Sequence, residues 1–391
     1  MPGSPAIEPF EIRVQESVLD DLRERLGRSR FAPEFANEDW RYGTRRSELE
    51  ALCTYWRDEY DWRAQEARMN ALPNYRVEVE GVPIHFVRVA GKGPDPMPLV
   101  LSHGWPWTYW DLHKVIQPLA DPAAFGGDPA DAFDVVVPSL PGYGFSSPLT
   151  TPGVNAWRTA DLWDRLMRDV LGYERYAAQG GDWGAILSAQ LGHRYASHLH
   201  GIHITLTIPL GFPADPFPER ATYADDEAHW YDRTQEFFAE GSGYSAIQGT
   251  RPQTLSHGLH DSPAGLCAWI LDKRRAWSDC DGDVLRRFSY DDLCTTMTIY
   301  WVTETFATSA RYYYEFFARP WQPSHERHPV VEAPTSIAVF PGEIFMVSQT
   351  WAETYYNLAR WTPMERGGHF APMEEPELLI ADIRESFRAL R

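Results

Sequence analysis

Tyr176-Ala-Ala-Gln-Gly-Gly-Asp-Trp-Gly-Ala185 is the stretch of the sequence that decides the fold. Its apolar start predicts a short strand, and residues 185–194 have the pattern of a helix. The glycines on both sides of Asp182 allow a sharp, strained turn from strand to helix, with the Asp side chain exposed at its tip. Backbone N–H groups at the start of such a helix face any developing oxyanion. Taken alone, the motif also fits a glycine-rich turn with an Asp helix cap.

The alternation of strand and helix continues on both sides of this turn. Short apolar runs predict further strands at residues 98–102, 133–138, 201–206 and 335–340. Residues 17–26 and 46–68 have helical periodicity, residues 75–89 alternate as a β-hairpin around Glu80-Gly81, and residues 211–329 form a long helical, aromatic insertion. Strands that alternate with helices predict an α/β protein with a mostly parallel central sheet and helices on both faces.

Two further side chains come after Asp182 in the order that a hydrolase with this turn needs. Glu343 comes just after the strand at residues 335–340, and His369 lies before the closing helix at residues 376–390. Each has an ordinary structural explanation, a surface-turn Glu or a packed histidine. A nucleophile, an acid and a histidine in that chain order nevertheless predict Asp182, Glu343 and His369 as catalytic residues.

His103-Gly-Trp-Pro106 ends the predicted strand at residues 98–102. A strand that ends in this way places the N–H of Trp105 opposite the tip of the Asp182 turn. The N–H groups of Trp105 and Trp183 are therefore predicted to form an oxyanion hole. The 16 Trp and 19 Tyr residues of the chain fit either a large core or an aromatic pocket for an apolar ligand.

Composition limits the partners of this chain of 391 residues. Lys and Arg number 36 against 55 Asp and Glu, a net charge of −19, which disfavours nucleic acid and membrane surfaces as partners. Residues 1–10 lack the pattern of a signal peptide, and no run is apolar enough to span a membrane, so a cytoplasmic location is expected. His198, His200 and His203 fall on a predicted strand without convincing ligand spacing, so no metal or other cofactor is predicted.

Several motifs carry a resemblance to a known family. They are His103-Gly-Trp-Pro106, Pro-Ser-Leu-Pro-Gly-Tyr-Gly-Phe-Ser-Ser-Pro at residues 138–148, Gly-Gly-Asp-Trp-Gly at residues 180–184, Phe-Pro-Gly-Glu at residues 340–343, and Arg-Gly-Gly-His-Phe at residues 366–370. Together they resemble the α/β-hydrolase-fold epoxide hydrolases of the microsomal type. Residues 61–63 and 72–75 are similar to the amino-terminal region of these enzymes, so the likeness covers nearly the whole chain.

The resemblance implies the domain organisation. An epoxide-hydrolase N-terminal helical region is expected at residues 1–74, the α/β-hydrolase core at residues 75–210 and 333–391, and a helical cap at residues 211–332. The microsomal enzymes begin with a membrane anchor that this sequence does not have. A soluble, bacterial-like member of the family is therefore expected.

The resemblance also implies two tyrosines in the cap. Ser242-Gly-Tyr244 and Arg311-Tyr-Tyr-Tyr-Glu315 are similar to the cap motifs of the family, which places two tyrosines over the nucleophile. The matching positions are Tyr244 and Tyr313. Neighbouring residues on a helix point about 100° apart, so one of the three consecutive tyrosines is expected in the cleft. The family motif, and not the geometry, selects Tyr313 over Tyr312 and Tyr314.

The activity that the resemblance implies is hydrolysis of a small-molecule epoxide by water to a vicinal diol. Asp182 would form an ester with the substrate, and His369 would act in the second half-reaction, because a carboxylate needs no base to attack. The aromatic cap favours a bulky, aryl epoxide, and bacterial relatives suggest a role in natural-product biosynthesis of the enediyne type. A homodimer is compatible with the sequence.

Two other functions fit parts of the sequence. A haloalkane or haloacid dehalogenase uses the same Asp ester, and Trp183 would suit halide binding, but such enzymes lack the pair of cap tyrosines. A catalytically silent α/β-hydrolase that acts as a binding protein usually loses one catalytic position, and here none is missing. A Ser-type esterase is nearly excluded by Asp182.

Overall fold

The computed structural model describes residues 6–391, so the first five residues of the segment analysed for a signal peptide lie outside it. The strands are β1 (Glu8–Pro9), β2 (Asn74–Val79), β3 (Val82–Val89), β4 (Met97–Ser102), β5 (Phe133–Pro138), β6 (Tyr176–Gly180), β7 (Leu199–Ile204), β8 (Val331–Val339) and β9 (Tyr356–Pro363). The helices are α1 (Glu16–Gly27), α2 (Arg46–Asp58), α3 (Trp62–Asn70), α4 (His113–Ala120), α5 (Ala156–Arg165), α6 (Trp183–Arg194), α7 (Ala228–Glu236), α8 (Gly243–Thr250), α9 (Pro252–Asp261), α10 (Pro263–Trp277), α11 (Tyr290–Val302), α12 (Phe306–Ala318), α13 (Gln349–Tyr355), α14 (Ala371–Glu374) and α15 (Pro376–Arg388).

Within this part of the chain the strands form one sheet in the order β1-β2-β3-β5-β4-β6-β7-β8-β9. The strands β5, β4, β6, β7, β8 and β9 run parallel to one another. The strands β1, β2 and β3 pair antiparallel with their neighbours. Strands β5 and β6 are almost completely buried, as expected when helices cover both faces of a parallel sheet. The predicted α/β class with a mostly parallel sheet is confirmed. The parallel arrangement brings the carboxyl ends of β4, β6, β7 and β8 to one edge.

Helices cover the two faces of the sheet from opposite sides. On one face Trp163 of α5 donates a hydrogen bond from Nε1 to Ser102 Oγ (3.0 Å). On the other, His203 Nε2 lies 3.0 Å from Asp382 Oδ2 of α15. Ser102 pairs in register with Gly180, which pairs with Ile204, so Ser102 and Ile204 point to the same face of the sheet. His203 precedes Ile204 and therefore points to the opposite face, because the side chains of successive strand residues alternate between the two faces.

The helices α7 to α12 lie between β7 and β8 in the described chain and form a cap over the carboxyl edge of the sheet. The amino-terminal helices pack against this cap. Trp56 of α2 donates from Nε1 to Thr298 Oγ1 of α11 (2.8 Å), and the hydroxyl of Tyr60 lies 2.9 Å from Thr295 Oγ1. None of the helices in residues 6–391 combines the length and the apolar character that a membrane span needs.

Local structure agrees with the predicted hairpin, differs from the predictions in the amino-terminal region, and includes β9, which was not predicted. In the hairpin β2–β3, Glu80 and Gly81 form a two-residue turn with φ of 52° and 77°, as a type I′ turn requires. The helix predicted at residues 46–68 is two helices. The first ends at Asp58, and the second, α3, begins after Asp61, whose side chain caps it. Strand β1 lies in the segment predicted to be helical. A two-residue strand has no periodicity that a sequence pattern could reveal.

Candidate active site

The turn between β6 and α6 holds Asp182 in a strained conformation. Its φ of 52° and ψ of −126° are unfavourable for a residue with a side chain, at a cost on the order of 1–3 kcal/mol. Close packing around the turn requires glycine at two positions. A Cβ on Gly184 would lie 2.0 Å from the carbonyl oxygen of Ser102, and a Cβ on Gly104 would lie 2.1 Å from Asp182 Oδ1. The backbone is therefore fixed tightly around one carboxylate.

The two oxygens of Asp182 have different partners. Oδ1 accepts a hydrogen bond from the N–H of Trp105 (2.7 Å), and Oδ2 lies 3.3 Å from His369 Nε2. The turn that carries Trp105 is held by His103, whose Nε2 accepts from the N–H of Leu140 (3.0 Å). Burial lowers the pKa of His103 to about 4, so its ring is neutral and able to accept. The N–H of Trp183, in the first turn of α6, has no acceptor within that helix.

His369 lies between two carboxylates. Its Nδ1 is 2.6 Å from Glu343 Oε1, and its backbone N–H donates to the carbonyl oxygen of Trp277 in the cap (3.0 Å). Burial opposes the charged form of this imidazole, but the negative charges of Glu343 and Asp182 outweigh it and raise the pKa of His369 to about 10. The free site at neutral pH therefore contains an imidazolium held by two carboxylates.

This ion-paired histidine predicts how stability depends on pH. The pKa of His369 is higher in the folded chain than the ordinary 6.5, so its proton stabilises the fold below pH 6.5 and that contribution is lost as the pH rises to about 10. Between pH 7 and 10 the free energy of unfolding of the wild type should fall relative to His369→Gln by up to about 1.4 kcal/mol per pH unit. Urea unfolding at four pH values measures the difference. If the free energies of unfolding of the two proteins change in parallel with pH, the prediction is contradicted.

The structure places Tyr244 of α8 and Tyr313 of α12 together above Asp182. Their ring centroids are 5.8 Å apart, and both side chains line the cavity that Asp182 lines. Of the other consecutive tyrosines, Tyr312 donates its hydroxyl hydrogen to Thr159 Oγ1 (2.8 Å), and Tyr314 is 44% exposed. Tyr313 is therefore the member of the three that faces the cleft.

Both cleft phenols keep their protons at neutral pH. Burial, and then the charge of Asp182, raises the pKa of Tyr244. Burial, followed by the neighbouring Tyr244 and Asp182, raises the pKa of Tyr313. The ring of Tyr244 stacks on the indole of Trp105 at 5.1 Å, and Tyr313 meets the indole of Trp183 edge-on at 4.7 Å. The residues with the predicted oxyanion amides thus also hold the two phenols in place.

A cavity of about 350 Å³ extends from these groups to the surface of the cap. Asp182, Tyr244 and Tyr313 lie at its buried end, and Ala246 and Thr250 are exposed at the other. Asp182 is the one charged side chain among the lining residues of the described chain. The remaining walls are mostly apolar: Trp183, Ile186, Leu206, Ile208, Phe212, Pro213, Phe237, Phe238, Phe316, Phe317, Ile344 and Phe345.

Trp277 also belongs to the site, and it was not among the residues predicted from the sequence. Its ring centroid lies 5.2 Å from that of His369 and 5.0 Å from that of Tyr244. It stands inside the insertion without a motif around it, so no sequence signal marked it. Of the histidines considered for a metal, His198 lies beside Asp164 and His203 beside Asp382. In residues 6–391 no three His, Cys, Asp or Glu side chains come together as metal ligands.

The mostly parallel sheet carries the strained Asp182 turn, and an acid and a histidine follow β8 and β9. Together these features define an α/β-hydrolase fold with a helical cap. The family model described as "alpha/beta hydrolase fold" matches residues 97–248, and the model "Epoxide hydrolase N terminus" matches residues 7–112. A protein of Stigmatella aurantiaca (strain DW4/3-1) whose name places it among the epoxide hydrolases is 42% identical, over 98% of this chain and 86% of its own length.

Epoxide hydrolase 1 of Oryctolagus cuniculus is 36% identical, over 97% of this chain and 88% of its own. The solved structure of Aspergillus niger epoxide hydrolase superimposes with a TM-score of 0.86 at 28% identity, covering 99% of this chain and 97% of that one. The chain belongs to the epoxide hydrolase family. This membership favours an epoxide hydrolase over the dehalogenase and the silent binding protein considered from the sequence.

Proposed function

We propose that the protein hydrolyses a neutral, bulky epoxide to a vicinal diol through an ester on Asp182. One observation carries the proposal. The Asp182 carboxylate, with Oδ1 bound by the N–H of Trp105, shares the buried end of one cavity with the phenols of Tyr244 and Tyr313. An epoxide opens near neutral pH when a nucleophile reaches its carbon while an acid protonates its oxygen. The site supplies both groups.

In the first half-reaction, Asp182 Oδ2 attacks a ring carbon, because Oδ1 is held by Trp105. The ring C–O bond breaks, and a phenol of Tyr244 or Tyr313 gives its proton to the oxygen. Ester formation removes the negative charge of Asp182, which is one of the two charges that raise the pKa of His369. The imidazolium then passes its proton to the phenolate and becomes the neutral base that the next step needs.

In the second half-reaction, His369, oriented by Glu343, takes a proton from water, and the hydroxide attacks the ester carbonyl carbon of Asp182. The charge that develops on Oδ1 is stabilised by the N–H groups of Trp105 and Trp183. The intermediate collapses, and the leaving alkoxide takes the second proton of that water. Asp182, the imidazolium and both phenols are then restored, and the diol is released.

The cavity suggests the substrate class. Its volume is in the range of sites for small organic molecules, and its aromatic and aliphatic walls favour an uncharged epoxide with a large apolar group, such as an aryl ring. Asp182 would repel an anionic substrate. The role in enediyne-type biosynthesis, the cytoplasmic location, the homodimer and the domain boundaries given above remain predictions.

A single-turnover experiment in heavy-oxygen water tests the ester. With enzyme in excess over styrene oxide, the first diol released should contain no solvent label, and the label should appear in the peptide that contains Asp182. Mass spectrometry of diol and peptide measures both. Enzyme incubated with the diol alone is the control and should remain unlabelled. Solvent oxygen in the first-turnover diol would mean that water attacks the epoxide directly and would overturn the proposal.

A further inference from the structure

Arg274 of α10 is a buried cation that joins the cap to the core. Its side chain is 1% exposed, and its Nη1 lies 2.6 Å from Oδ1 of Asp111, which is 3% exposed. A guanidinium in the interior is costly unless it is paired and hydrogen-bonded. Its neighbour Arg275, in contrast, is only half-buried. The position of Arg274 therefore calls for a specific explanation.

The other contacts of Arg274 reach the two segments that carry the predicted chemistry. Nη2 donates to the carbonyl oxygen of Pro106 (3.1 Å) and to Thr296 Oγ1 (3.3 Å). Pro106 directly follows Trp105, whose N–H binds Asp182. The guanidinium also lies over the ring of Phe370, 4.3 Å from its centroid, and Phe370 directly follows His369.

Asp111 completes the connection from the core side. Its Oδ2 accepts from the N–H of Thr108 (2.8 Å) and lies 3.3 Å from the Thr108 hydroxyl. The segment from Trp105 to Thr108 is thus fixed at Pro106 by Arg274 and at Thr108 by the partner of Arg274. Two bonds to one short segment leave little freedom for the direction of the Trp105 N–H.

We propose that Arg274 is a positioning residue that holds the Trp105 N–H against Asp182 Oδ1 for the hydrolytic half-reaction. The inference rests on the aspartyl ester of the proposed function. During ring opening the negative charge leaves Asp182, so a hydrogen bond to Oδ1 gives the transition state no advantage. During ester hydrolysis the charge returns to Oδ1, and the same N–H stabilises the transition state. Misplacing this donor therefore slows hydrolysis selectively.

The test measures the two half-reactions separately in Arg274→Met. Rapid-quench mass analysis with styrene oxide gives the rate constants of Asp182 alkylation and of ester hydrolysis. We expect hydrolysis to slow about 10- to 100-fold and alkylation to stay within about threefold of the wild type. The covalent adduct should then accumulate in steady state. Both kcat and KM should fall, with kcat/KM nearly unchanged, a pattern that a general loss of folded protein does not produce.

Arg275→Met is the matched control. Arg275 donates to the carbonyl oxygen of Gly282 (2.9 Å) and stacks over Trp40 (4.5 Å), so it makes the carbonyl and aromatic contacts that Arg274 also makes, but away from residues 105–108. Its two rate constants should match those of the wild type. Arg274→Lys keeps a cation for Asp111 with fewer donors and should show a smaller effect in the same direction. Arg274→Lys is the variant used for the test if Arg274→Met does not fold.

The outcomes separate the two proposals. If neither the wild type nor the His369→Gln variant forms an adduct, the proposed function itself is overturned. An adduct in the wild type together with equal changes in both half-reactions of the Arg274 variants, or no change in either, overturns the positioning role alone. Selective slowing in both Arg274 and Arg275 variants also overturns it, because the effect would then not depend on the Pro106 contact.

Discussion

Replacing His369 with Gln is expected to leave the protein covalently alkylated on Asp182. In the proposed mechanism, ring opening needs the carboxylate and a phenol, and both remain in the variant, whereas ester hydrolysis needs the imidazole as a base. Loss of a general base should slow that step about 10²- to 10⁴-fold. After mixing with styrene oxide, intact mass should increase by one molecule of epoxide per chain. Peptide mapping should locate the addition at Asp182.

His203→Gln is the matched control for this variant. His203 is as deeply buried as His369 and also lies beside a carboxylate, but that carboxylate is Asp382 of α15, whereas His369 Nε2 lies 3.3 Å from Asp182 Oδ2. Its replacement should give no stable adduct. A folded His369→Gln protein that remains unmodified by the epoxide would refute the assignment of His369 as the base of the second step.

The parts of the site that the sequence predicted are those set by local sterics and chain order. The glycines around Asp182 are needed because neighbouring backbone leaves no room for a Cβ, as the 2.0 Å approach at Gly184 illustrates. A short sequence motif therefore reveals this requirement directly. Glu343 and His369 follow strands of a parallel sheet, and parallel strands end at one edge. Their order along the chain was therefore enough to predict that they lie near Asp182.

The parts that residue patterns alone could not predict depend on long-range packing. Helix geometry did not separate Tyr313 from Tyr312, and Tyr313 was chosen from the family motif, because the rotation of α12 about its axis decides which of them faces the cleft. That rotation is set by contacts such as the bond from Tyr312 to Thr159. The pair of Arg274 and Asp111 joins residues far apart in the chain, in a cap helix and a short 3₁₀ helix of the core, and neither residue stands in a recognisable motif. Only the folded chain relates them.

Replacing both Tyr244 and Tyr313 with Phe is expected to abolish ring opening while leaving the site otherwise intact. Each phenol can hold or protonate the epoxide oxygen, so a single replacement should slow alkylation of Asp182 about 10- to 100-fold and the double replacement more than about 10³-fold. The Phe rings keep the packing on Trp105 and Trp183. Rapid-quench mass analysis with styrene oxide measures the alkylation rate constant.

Tyr312→Phe is the control that makes this result specific. It removes a hydroxyl from the adjacent helix position, and that hydroxyl is bound to Thr159 outside the cavity lining. Its alkylation rate constant should stay within about threefold of the wild type, since it lacks contact with the reacting oxygen. If the double variant alkylates as fast as this control, the oxygen must be protonated by another donor. The phenols would then shape the cavity without supplying the proton.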